Sequence, residues 1–147
     1  MTETLRTLFA RDINRLKTEI ELYKDEKNLW IIDKNIANSA GNLCLHLIGN
    51  LNTYIGAILG NSGYVRNREL EFSLKDIPRT ELINKIEATI KVVDNALSNL
   101  KMEELSKEYP QIVFNKPMTT EYFLVHLVAH LSYHLGQINY HRRLVDL

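Results

Sequence analysis

The stretch VHLVAHLSYHLGQINYH, residues 125–141, carries four of the chain's five histidines. At about 100° of rotation per residue, His126, His130, His134, Gln137 and His141 fall within an arc of roughly 80° on a helix. Leu124, Leu127, Val128, Leu131, Leu135 and Ile138 occupy the neighbouring arc. The polar stripe therefore borders the buried face and does not sit opposite it, which argues against a merely solvated surface.

Two imidazoles at i and i+4 on one helix can converge on a single cation, but a catalytic site normally needs a third ligand. The remaining histidine, His46, lies in NLCLHLIGNL (42–51), with Asn42 and Asn50 one helical turn to either side. A polar row on an otherwise apolar helix needs partners. On the adjoining row Gly49, Thr53, Gly56 and Gly60 are small, which either admits a neighbouring helix closely or leaves a volume beside His46. Any one of these histidines is explained by an ordinary hydrogen bond. Taken together, a row bordering one core face and a lone buried histidine on another helix supply three neutral nitrogen ligands with an open fourth position. There is no HExxH and no carboxylate along the stripe of residues 126–141, so a mononuclear site is expected and a carboxylate-bridged di-metal site is not.

Working outward, apolar residues at helical spacing predict a first helix over roughly residues 3–24 and a second, mostly buried one over roughly 39–60. A third follows Pro78, with Thr80 as its expected N-cap, and a fourth is capped by Thr119 or Thr120 and runs to about residue 145. The fold class is all-α: one domain, residues 1–147, forming a four-helix bundle with long inter-helix loops.

Composition narrows the function. Lys+Arg and Asp+Glu each total 18, so the basic excess that phosphate contacts demand is missing and nucleic acid is not expected as a partner. No apolar run approaches the roughly 20 residues of a membrane helix and the first residues mix charges, so no membrane association and a cytoplasmic location are expected. Cys44 is the single cysteine and sits about 200° around the helix from His46, which makes it a core thiol and leaves metal binding to histidine and oxygen.

These residues resemble a known family. AHLSYHLGQI (129–138) resembles the fourth-helix signature of the DinB-like metalloprotein superfamily, NLCLHLIGNL its second-helix histidine segment, and Trp30 also fits. RNRELEF (66–72) after HLIGNL is closer still to one subfamily of these bundles. The resemblance implies a DinB-like four-helix bundle with His46, His130 and His134 as metal ligands, selecting the 130/134 pair over 126/130, and with Gln137 just beyond. It further implies a divalent metal, zinc or nickel, frequently a homodimer, and relatives that include transferases joining a low-molecular-weight thiol to an electrophile, as well as hydrolases and isomerases.

The expected function is thus a divalent-metal-dependent enzyme acting on a small-molecule substrate: a thiol S-transferase, or alternatively a metal-dependent hydrolase or a non-catalytic metal-binding or dimeric interaction bundle. Arg66 and Arg68 are candidates to clamp a substrate carboxylate or phosphate, and Glu69 or Glu71 to act as a loop base. Asn50 and Gln137 are candidates to orient the ligands. His126 and His141 either extend the stripe, touch substrate or face a dimer partner, and Tyr54 and Tyr133 read equally well as packing residues.

Overall fold

The computed structural model describes residues 1–147. The chain is all-helical, with six α-helices and no strand: α1 (Thr2–Leu22), α2 (Ala40–Leu51), α3 (Arg68–Ser73), α4 (Arg79–Ser98), α5 (Met102–Leu105) and α6 (Thr120–Val145). A 3₁₀ turn (Glu26–Trp30) follows α1, and a π-helical turn (Asn52–Ala57) extends α2.

The apolar stripes that predict the long helices are the ones that are buried. Phe9, Ile13, Leu16 and Ile20 of α1 meet Leu82, Ile86 and Val93 of α4 and Leu124, Leu127 and Leu131 of α6 in one core. Every residue of α2 is buried. α1 packs on α4 and α6, and α2 packs on the same two helices. Consecutive long helices α1 and α2 therefore stand at opposite corners, as do α4 and α6, and each such pair is joined by a long connection (23–39 and 99–119) that crosses the end of the assembly. Ion pairs between Arg6 and Asp94 (2.6 Å) and between Arg142 and Glu19 (2.9 Å) line the outer seams of α1.

Four local features differ from the sequence expectation. The third long helix begins at Arg79, with Pro78 as its N-cap: the Pro78 carbonyl accepts from the Glu81 and Leu82 amides at 2.9 and 3.2 Å, so Thr80 lies inside the first turn. The second helix does not remain α-helical to residue 60. Asn52 Nδ2 donates to Ile48 O (2.8 Å) and Thr89 Oγ1 (2.9 Å), and from there the chain widens, with the Ile58 amide reaching Thr53 O at 3.1 Å. Such π-turns recur at functional sites, where they shift the register of the side chains that follow. RNRELEF is not an irregular loop but largely the short helix α3, capped by Asn67, and it packs on α2. The connection after α4 contains α5 and a single antiparallel bridge between Glu108 and Thr119. At the start of α6 the cap is Thr119, whose Oγ1 accepts from the Tyr122 amide at 3.1 Å.

No helix is long and apolar enough to cross a membrane. Cys44 is fully buried, and burial pushes its thiol pKa up to about 12, in keeping with a core role.

Candidate metal centre

α2 supplies His46 and α6 supplies His130 and His134, and the packing of α2 on α6 brings one nitrogen of each ring within 4.8 Å of the others. His46 is buried and the other two are half-buried. His46 Nε2 lies 3.2 Å from His130 Nε2, and the His134 ring stands edge-on to both.

The other side of His46 is held by α3. Its Nδ1 donates to Glu71 Oε1 at 3.1 Å, which orients the ring with Nε2 turned toward His130. Glu71 is in turn gripped by Arg66, with Nε to Oε2 at 2.8 Å and Nη2 to Oε1 at 2.9 Å. Burial alone would raise the Glu71 pKa, but the hydrogen bonds from His46 and Arg66 and the guanidinium charge outweigh it and hold the carboxyl below its usual range. Asn42 anchors the far end of α3 by donating to Glu71 O (3.0 Å) and Leu74 O (2.9 Å). That is the partner its polar row required. A Cβ at position 49 would collide with the Glu71 carboxylate, so Gly49 is small because an acid lies across it.

On α6, Gln137 Oε1 accepts from His134 Nδ1 at 2.7 Å and orients that ring in the same manner. Burial first, and then the neighbouring imidazoles and Arg66, push the His130 pKa down to about 4. His134 is also lowered by burial, partly offset by the Gln137 hydrogen bond. Both rings are therefore neutral at pH 7, as a ligand must be.

The donor set fits a divalent transition metal. Three neutral imidazoles suit zinc, nickel, copper or iron. Two nitrogens each about 2.0–2.1 Å from one tetrahedral ion stand roughly 3.3 Å apart, close to the 3.2 Å between His46 and His130. His130 Nδ1 is buried without a hydrogen-bond partner, and its Nε2 is the nitrogen that faces His46.

The remaining candidates separate. Arg66 is engaged by Glu71, whereas Arg68 lies with its guanidinium 5.3 Å over the Phe72 ring and pairs with no acid. Glu69 is exposed and pairs with none of the histidines, and it is Glu71 that reaches the cluster. Asn50 lines a cleft of about 180 Å³ that opens beside His46 and His130, together with Arg66, Arg68, Tyr54 and His126, but it hydrogen-bonds to none of the three histidines. Tyr133 is exposed. His141 is remote from the cluster in role: its Nδ1 accepts from Tyr23 Oη at 2.6 Å and its Nε2 donates to Ile31 O at 2.8 Å.

The grip of Glu71 on His46 is the part that sequence reasoning did not isolate. Glu69 and Glu71 looked alike there, and the available signal was Gly49, whose missing side chain marks the place where the carboxylate lies.

Fold and site together define a helical protein with a three-imidazole cluster between two helices, backed by a buried acid. Residues 3–146 match the family described as Protein of unknown function (DUF1572), and the chain belongs to it. No curated protein matches the sequence.

Proposed function

We propose that this chain is a four-helix-bundle enzyme of the DinB-like type that uses a divalent cation, zinc or nickel, held by His46, His130 and His134, to join a low-molecular-weight thiol to an electrophile. The observation that carries the reading is the convergence of three imidazoles beside a cleft, two of them oriented from behind by Glu71 and Gln137. Once bound, a divalent cation supplies Lewis acidity that brings the pKa of a thiol or a water toward neutrality.

The chain's own groups do the rest. Glu71, kept anionic by Arg66, holds the proton of His46 on Nδ1, and Gln137 does the same for His134, so both rings present Nε2. His126, half-buried in the cleft with its ring centroid 6.3 Å from that of His130, is in this reading the group that takes the proton from the thiol. The sulfur then forms its bond to the electrophilic carbon as the leaving group departs with its electron pair. Arg68, at the cleft mouth without an acidic partner, supplies charge for an anionic substrate group. The setting of this reading is a cytoplasmic homodimer.

The test is a conjugation screen with metal-loaded protein, a panel of low-molecular-weight thiols and model electrophiles, with hydrolase substrates alongside. Thioether formation is expected, falling by about 10²–10⁴-fold in His126→Ala with metal content unchanged. A fully metallated protein inert across the whole panel would reject the enzyme reading in favour of a binding module.

A further inference from the structure

The connection from α5 to α6 builds a wall. Tyr109 N donates to Met118 O at 2.8 Å and Thr120 N to Lys107 O at 2.9 Å, closing the base of a loop that turns back through Asn115 in the left-handed region (φ 61°). Its tip lays Phe114 edge-on against His126, with centroids 4.8 Å apart at 75°, and against Phe123 at 6.0 Å and 79°. Phe123 and His126 are nearly parallel, at 9°, and Tyr54 meets Phe123 edge-on at 5.1 Å. The cleft of about 180 Å³ beside His46 and His130 is thus walled by aromatic rings, although Phe114 itself stays 44% exposed.

Its polar lining is one-sided. Arg66 and Arg68 contribute to it and no carboxylate does. Glu71 neutralises Arg66 through two hydrogen bonds, while Arg68 keeps its charge. Asn50, only 6% exposed, also contributes to the lining, and its Oδ1 is buried without a hydrogen-bond partner.

Building on the reading of the histidine cluster as the reaction centre, we propose that this cleft binds a monocyclic aromatic acid: the ring against this aromatic wall and the carboxylate on Arg68. The volume matches a single ring, since a cavity of about 150 Å³ accommodates benzene. Flat faces and edges suit an aromatic guest, and a guanidinium free of acids pairs with a carboxylate in two-pronged fashion.

The experiment titrates the full-length, metal-loaded protein with benzoate and with neutral benzyl alcohol, following backbone amide shifts by NMR, and repeats the titration after chelation. Benzoate is expected to shift residues around Tyr54, Phe114 and His126, and Arg68→Ala and Phe114→Ala are each expected to weaken it about tenfold. Both side chains lie at the surface, and unchanged spectra and melting curves establish that the variants are folded. Benzoate affinity unchanged in both variants, benzyl alcohol binding as tightly as benzoate, or binding that disappears on chelation and ignores Phe114 would each overturn the proposal. Metal content is read on the same samples. Arg68-dependent binding in protein that takes up no metal would support the cleft while rejecting the histidine cluster as a metal centre.

Discussion

His46 and His141 are both buried histidines facing a neighbouring helix or connection, yet the protein treats them in opposite ways. At His141 both ring nitrogens are answered by the chain, one by the Tyr23 hydroxyl and one by the Ile31 carbonyl, and burial keeps that hydroxyl protonated so that it donates. The ring is a structural tie between the end of α1, the first connection and α6. At His46 one nitrogen is answered by Glu71, and the other is turned toward His130 across 3.2 Å. Burial of a histidine therefore does not by itself mark a site. What marks one is a ring whose far side is fixed by the protein while its near side is turned toward further imidazoles.

The contrast can be broken from either end. His141→Ala strands the Tyr23 hydroxyl and the Ile31 carbonyl in the interior and is expected to cost about 2–4 kcal/mol in urea unfolding, with metal binding intact. Loss of metal in this variant would erase the distinction between the two rings. Glu71→Ala removes the group behind His46 and should lower metal affinity by about 10–100-fold in a competition with a chromophoric chelator. Gly49→Ala reaches the same contact from α2: its methyl group meets the Glu71 carboxylate, and a destabilisation of about 1–3 kcal/mol is expected, together with weaker metal binding as Glu71 is displaced.

A separate effect is on the pH dependence of the metal-free protein. Folded His130 titrates near 4 against an ordinary value of 6.5, so between those values the unfolded chain binds more protons than the folded one. Stability should rise with pH across that window and be fully present above it. Glu71, whose pKa is lowered, adds stability of the same sign that is lost as pH falls through the carboxylate range. His130→Ala should flatten the slope measured by denaturant titration between pH 4 and 6.5. An unchanged slope would show that the ring is not desolvated in the metal-free fold.

Helical periodicity placed α1, α4 and α6 because each buries one face, whereas α2 was legible from apolar residues spread around the whole helix, and the stripe of α6 was legible because its polar arc borders Leu127 and Leu131, which lie in the core. Less legible was what depends on contacts between distant segments. The difference between His134 and His141, seven residues apart on one stripe, is set by Tyr23 and Ile31, more than a hundred residues earlier. α3 escaped notice because six residues are too few to show a helical period, and its position over Gly49 rests on Asn42 bonding its C-terminal carbonyls. The π-turn after α2 likewise depends on Asn52 finding Thr89 on α4, a partner 37 residues away.

The most direct test of the central claim is the metal content, by mass spectrometry, of protein made without a histidine tag, compared with His46→Ala, His130→Ala and His141→Ala. One ion per chain is expected in the wild type and in His141→Ala, with loss of the ion in the other two variants. The same sub-stoichiometric metal in all four proteins would contradict a metal centre at His46, His130 and His134.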